Sequence, residues 1–146
     1  MRTYRRILPA SCAAALLALL AGIWTSARGQ QSTEQLAQQS AEAWLARVDS
    51  GEYAASWQQA SSLFKAHVSK DDWVKMSKAT FGPLGKNTSR TLKSAKYTTT
   101  LPGVPDGRYV VIQYESSFEH KQSAIETVTP MLDNDGLWHV SGYYIK

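Results

Sequence analysis

The sequence predicts an α+β domain in which three helices pack on one face of a curved, four-stranded antiparallel meander sheet. Two observations support this prediction. Apolar residues recur every three or four positions as far as Gly82, and beyond it they alternate with polar residues between turn sequences. The period changes only once, so the helices come first and the strands follow. Because each helix has a single apolar stripe, we expect the helices to cover the apolar face of the sheet.

The first half contains three helical segments, each with a start signal or a preceding break. Ser32 and Gln35 have the spacing of a capping box ahead of the first helix. Ser69 is in the capping position of the third helix, and a Ser61–Ser62 pair could divide the second helix in two. The predicted helices span about residues 33–49, 52–68 and 70–81.

The second half contains four segments that are rich in Thr, Tyr, Val and Ile, which favours strands. Asp133–Gly136 is a strong hairpin turn before the last strand. Pro130 indicates an edge position or a bulge late in the third strand. Strict alternation would place Val140 and Tyr144 on one face of the last strand and Tyr143 on the other. The predicted strands span about residues 89–101, 109–118, 123–132 and 137–145.

Residues 1–29 have the layout of a secretory signal peptide. Three arginines precede the apolar segment Ile7–Trp24, and small residues follow it at the spacing that a signal peptidase requires. The apolar segment is slightly shorter than the roughly 20 residues that span a bilayer, and an uncleaved membrane anchor is the alternative. We therefore expect a protein exported to the periplasm or secreted, with residues 30–146 as its single domain. Cys12, the only cysteine, lies within the predicted signal.

The charge of the predicted mature domain argues against nucleic acid as a partner. The chain has 16 basic and 12 acidic residues. Removal of residues 1–29 takes away four basic residues and no acidic ones, which leaves 12 of each and a net charge of zero. A neutral domain has no electrostatic reason to bind nucleic acid or anionic lipid. Membrane contact is thus expected only through an uncleaved N-terminal segment.

The sequence contains no strong catalytic or metal-binding motif, and we predict neither a cofactor nor a metal. Glu126 is the carboxylate of greatest interest, because it lies in a strand among apolar neighbours, where an unpaired charge would be costly. It could act as a general base inside a cavity, face solvent, or pair with Arg90, Lys93 or Lys121. His139 could act as an acid or base near neutral pH, or it could simply be exposed.

Large aromatic side chains could line a ligand pocket or fill the core. Small-molecule sites are mostly apolar with a few polar groups, whereas a small domain without disulfides also uses aromatic residues to bury area. The predicted ligand-binding residues are Trp57, Trp73, Tyr114, Glu126 and Tyr144.

Motifs distributed along the mature chain resemble one protein family. They include Tyr53–Trp57, Gly82–Gly85, Leu101–Gly103 and the closing segment Trp138–Ile145. In this order they resemble the bacterial family known as domain of unknown function 4019, whose members are mostly exported and have no assigned activity. The resemblance implies a single-domain protein of the bacterial envelope and supplies no catalytic residue. The order of elements is also similar to the cystatin-like and nuclear-transport-factor-2-like folds, in which a curved sheet encloses a helix.

These observations favour a non-catalytic module that binds a small molecule or another envelope protein. One alternative is a small cone-fold enzyme of the isomerase or hydratase type that uses Glu126 as its base. It would require two polar side chains that converge inside a cavity. Another alternative is a structural or assembly subunit, which would expose an apolar edge or patch.

Overall fold

The computed structural model describes residues 31–146, in which four helices precede four strands. The α+β prediction is confirmed, and the arrangement is compatible with the predicted cystatin-like outline. The predicted signal peptide and Cys12 lie outside the described residues. The helices are α1 (Thr33–Asp49), α2 (Tyr53–Gln59), α3 (Ser62–His67) and α4 (Lys70–Leu84), and the strands are β1 (Asn87–Thr98), β2 (Tyr109–Phe118), β3 (Lys121–Leu132) and β4 (Trp138–Ile145).

Serine caps set the starts of three helices. Ser32 and Gln35 form the predicted capping box of α1, and the Ser69 hydroxyl accepts a hydrogen bond from the Asp72 N–H at 3.2 Å. The second predicted helix is two helices, because Ala60 has an extended backbone and the Ser61 hydroxyl begins α3 by accepting from a backbone N–H at 3.0 Å. The helical half thus contains four helices rather than three.

The sheet is an antiparallel meander with the strand order β1-β2-β3-β4, as predicted. Helix α1 lies across all four strands, whereas α4 packs mainly against α2 and borders the end of β4. The inner face of the sheet therefore meets the helices. The fully buried Val110, Ile112 and Val128 on this face pack in one core with Trp44 and Leu45 of α1.

A bulge in β4 reverses the direction of its side chains. Pro130 pairs with Val140 and Thr129 pairs with Gly142, so Ser141 is an extra residue on β4. Beyond this residue Tyr143 turns toward the core, and Tyr144 is 60 % exposed. The prediction that Tyr144 shares a face with Val140 is therefore wrong, because strict alternation fails at a bulge.

No helix within residues 31–146 is long and apolar enough to cross a membrane.

Candidate ligand groove and the buried carboxylate behind it

Glu126 is fully buried on the inner face of β3 and accepts four hydrogen bonds. The Arg90 guanidinium reaches across β2 and donates from Nε to Oε2 at 2.7 Å and from Nη2 to Oε1 at 3.0 Å. The Ser116 hydroxyl donates to Oε2. The Tyr143 hydroxyl donates to Oε1 at 2.7 Å. Both carboxylate oxygens are therefore engaged, and the bidentate pair with arginine fixes the plane of the carboxylate.

Arg90 joins this carboxylate to a second one at the end of α1. Its Nη1 donates to Asp49 Oδ2 at 2.7 Å, and its Nη2 also contacts Oδ1 at 3.1 Å. The Asp49 side chain is 29 % exposed, whereas that of Glu126 is inaccessible. A single cation thus links two carboxylates that come from a helix and an interior strand. We refer to Asp49, Arg90, Ser116, Glu126 and Tyr143 as the buried network.

The electrostatics of the buried network keep Glu126 ionised. Burial by itself would raise its pKa, but the hydrogen bonds from Arg90, Ser116 and Tyr143 outweigh burial and hold the pKa below its ordinary value. Burial and the Glu126 charge together raise the pKa of Tyr143, so its phenol remains a donor. A carboxylate with a lowered pKa is a poor general base. Of the alternatives for Glu126, the structure shows the pair with Arg90, while Lys93 pairs with Glu115 at 3.0 Å.

A groove of about 240 Å³ lies between α4 and the end of β4. Its walls include Trp73, Met76, Ser77 and Phe81 from α4, and Tyr143 and Tyr144 from β4. Tyr143 belongs to both the groove and the buried network, and its ring lies 5.7 Å from that of Phe81. The carboxylate that holds the Tyr143 hydroxyl therefore also fixes one wall of the groove.

The wall of the groove contains Ser77, whose hydroxyl is buried. The residue is 1 % exposed, and its hydroxyl has no hydrogen-bond partner among the residues that the structure describes. A buried hydroxyl without a partner costs on the order of 1–3 kcal/mol. Because the oxygen itself is inaccessible, a molecule in the groove could reach it only after a neighbouring side chain moves.

Comparison with known proteins gives the family of the chain. The family model described as "Protein of unknown function (DUF4019)" matches residues 40–143. The chain belongs to the DUF4019 family. No curated protein and no solved structure matches it. The resemblance stated from the sequence motifs is confirmed, and the matched range includes the whole buried network.

The DUF4019 domain does not gather the five predicted ligand-binding residues into one site. Trp73 and Tyr144 line the groove, and Glu126 reaches it only through Tyr143. Trp57 is half-buried and donates from Nε1 to the Val68 carbonyl at 2.7 Å, so it ties α2 to the end of α3. Tyr114 is buried in the core, where burial raises the pKa of its hydroxyl, which has no hydrogen-bond partner in the described part of the chain.

His139 lies at the opposite end of β4 from the Glu126 contact. Glu126 pairs with Ile145, six residues from His139, which is a separation of about 20 Å along a strand. His139 Nε2 is 2.8 Å from Asp135 Oδ2, and Nδ1 is 3.0 Å from the Gln59 carbonyl oxygen. The two residues predicted for the enzyme alternative are therefore too far apart to act on the same small substrate.

Sequence reasoning missed Ser77 and Asp49 as members of the site. Ser77 is four residues from both Trp73 and Phe81, so helical spacing could have placed it on the same face. Asp49 has no such signal, since its role depends on a contact with Arg90 that is 41 residues away in the chain. Within residues 31–146, no three His, Cys, Asp or Glu side chains are grouped to hold a metal ion.

Proposed function

We propose that this DUF4019 domain is an exported, non-catalytic binding module whose ligand occupies the groove between α4 and β4. One observation supports this most directly: the groove is mostly apolar, and the exposed side chains of Thr80 and Tyr144 add hydroxyl groups to its walls. Apolar walls with a few placed polar groups are typical of ligand sites in proteins. The buried network holds Tyr143 in place, so the groove is formed before any ligand binds.

The geometry gives less support to the enzyme alternative. Both oxygens of Glu126 accept hydrogen bonds from the protein, and the side chain is not exposed to a substrate. Its pKa is lowered, whereas a base that works near neutral pH needs a raised one. These features suit a structural anion that positions Tyr143.

A dye-binding experiment tests the groove as a binding site. Met76 is 50 % exposed in the groove wall, so Met76→Arg should block the groove without disturbing the core. We expect the uncharged dye Nile red to fluoresce more strongly with the wild-type domain and to lose most of that enhancement with Met76→Arg. Leu92→Arg is the matched control, since Leu92 is similarly exposed but lies on β1. Equal enhancement by all three proteins would contradict the proposal.

The layout of residues 1–29 supports export of the protein. Mass spectrometry of the protein recovered from the periplasm or medium should show a chain that begins near Arg28 or Gln30. Recovery of the intact N-terminal segment in a membrane fraction would instead support the anchor alternative.

A second apolar groove, of about 570 Å³, favours the assembly-subunit alternative. It lies where α1 begins and includes Leu36, which is 42 % exposed, and Leu137, which is 61 % exposed. Exposed apolar patches can mark contacts between proteins. If this patch joins copies of the domain, sedimentation should show a dimer that Leu137→Glu dissociates. A monomer at all concentrations would contradict the assembly-subunit alternative.

A further inference from the structure

The free edge of β4 is covered at one end and open at the other. At the covered end, Trp138–Val140, the N–H of Ser61, the N-cap residue of α3, donates to the Val140 carbonyl at 2.9 Å. At the open end, Tyr143–Ile145, no helix within residues 31–146 takes the equivalent position, and the groove lies beside the strand. The covered end shows how a hydrogen-bond partner completes this edge of the sheet.

The register of β3 and β4 shows which backbone groups point out of the open end. Ile125 and Lys146 exchange both of their backbone hydrogen bonds, at 2.9 and 3.1 Å. Bonded and non-bonded pairs alternate in an antiparallel ladder. The pairs Glu126–Ile145 and Val128–Tyr143 are therefore non-bonded, and the N–H and C=O groups of Tyr143 and Ile145 point away from β3. In the described part of the chain these groups have no hydrogen-bond partner.

We propose, as an extension of the function suggested above, that the ligand is an extended peptide segment that pairs with the open end of β4. Its main chain would bond to the N–H and C=O groups of Tyr143 and Ile145 and continue the sheet by one strand. Addition of a strand to a sheet edge is a general mode of peptide recognition.

The uncharged lining of the groove limits which side chains the peptide can present. Among the described residues that line the groove, none is charged. A charged side chain would lose its water there without gaining a partner, so the occupant should present uncharged, apolar side chains. Alternate side chains of an extended peptide point the same way, and those directed at α4 would contact Met76 and Trp73.

The covered end limits the length of the contact. Helix α3 already occupies the edge at Val140, so the peptide can pair with only about three residues of β4. Since main-chain bonds and one or two side chains provide the contact, binding should be weak for a single peptide.

The test uses residues 30–146 and a pool of blocked hexapeptides composed of Val, Ile, Thr and Ser. We expect the peptide pool to shift the amide resonances of Tyr143 and Ile145 and to slow their hydrogen exchange by several-fold. Ile145→Pro removes an outward N–H that β3 does not use, so the sheet should tolerate the change while the peptide effect at Tyr143 is lost. Ile145→Val keeps the N–H and should retain the effect.

Each of the following results would overturn this inference in a different way. Equal peptide effects in the wild type and Ile145→Pro would show that the edge is not used. Dye binding that Met76→Arg blocks, without any peptide effect, would leave the groove as a small-molecule site and reject the peptide. A dimer that Ile145→Pro dissociates would identify a second copy as the occupant. If Ile145→Pro fails to fold, Met76→Arg replaces it and should reduce the peptide effect several-fold, since Met76 is exposed in the groove wall; an unchanged effect would contradict the inference.

Discussion

The covered end and the open end of β4 differ in what occupies the free edge of the strand. At the covered end, α3 supplies a backbone donor, and His139 is held between Asp135 and the Gln59 carbonyl. The His139 contacts are at the surface, where the Asp135 side chain is 53 % exposed, whereas Ser61 and Val140 are buried. At the open end the edge has no such cover, but the fully buried Glu126 lies directly behind it.

At the open end, the buried network stabilises the fold, whereas the backbone groups of the strand edge are available for recognition. An uncovered edge is usually a liability, because its free backbone groups can pair with any other chain. Here the open end is short, and the buried network fixes Tyr143 independently of whatever lies at the edge. A binding site with rigid walls and free hydrogen-bonding groups is the arrangement expected for a recognition surface.

Removal of Arg90 should produce the largest loss of stability and should affect the open end first. Arg90→Met leaves Glu126 buried with no positive partner, which we expect to cost about 3–5 kcal/mol in the free energy of unfolding. Urea denaturation at neutral pH measures this loss. Lys93→Met is the matched control, because its exposed pair with Glu115 should contribute under about 1 kcal/mol. Similar losses for the two variants would contradict the assigned importance of the buried pair.

Glu126→Gln should lower the stability less, by about 2–3 kcal/mol at pH 7, since the amide keeps one acceptor for Arg90. The folded state holds the pKa of Glu126 below its ordinary value of 4.5. Its contribution is therefore present above pH 4.5 and is lost as the pH falls through the folded pKa. Unfolding followed from pH 7 to pH 3 should show a steeper acid loss in the wild type than in the variant. Parallel curves would show that Glu126 does not titrate as assigned.

The sequence predicts most of the fold because its signals are local. The change of period near Gly82, the capping box at Ser32 and the turn at Asp133–Gly136 each act over a few residues, and each is present in the structure. Pro130 also indicates a bulge or an edge correctly, since the register of β3 and β4 shifts there. It does not show that the extra residue is Ser141 on the partner strand, because that depends on pairing.

The candidate site is less predictable because its contacts are distant in the chain. Glu126 attracts attention as a carboxylate in an apolar strand, and chemistry limits its partners to a few cations, of which Arg90 is one. The Tyr143 contact requires the bulge in β4, which reverses the alternation on which a prediction from sequence depends. Helix spacing groups Ser77 with Trp73, but only the packed structure shows that the hydroxyl has no partner in residues 31–146.

Asp133→Ala should destabilise the covered end, with a smaller loss in the free energy of unfolding than Glu126→Gln. Asp133 accepts hydrogen bonds from the Ser62 N–H at 2.6 Å and from the Ser62 hydroxyl at 2.7 Å, and so fastens the start of α3 to the turn after β3. We expect a loss of about 1 kcal/mol, as for other helix N-terminal contacts. Hydrogen exchange should quicken at Ser61, whose N–H covers the edge, and remain unchanged at Glu126. Unchanged hydrogen exchange at Ser61 would show that the Asp133 contact does not help to hold the start of α3 against β4.

Ser77→Ala should have the smallest effect on stability, and its sign is informative. The hydroxyl is buried without a partner among residues 31–146, so its removal relieves a desolvation cost and should leave the free energy of unfolding unchanged or raise it by up to about 1 kcal/mol. Ser56→Ala is the matched control, because the Ser56 hydroxyl accepts from Trp73 Nε1 at 2.9 Å and its removal should destabilise the domain. If Ser77→Ala instead destabilises the domain as much as Ser56→Ala does, the hydroxyl has a structural partner. The buried Ser77 hydroxyl behind the groove would then no longer distinguish the open end of β4 from the covered end.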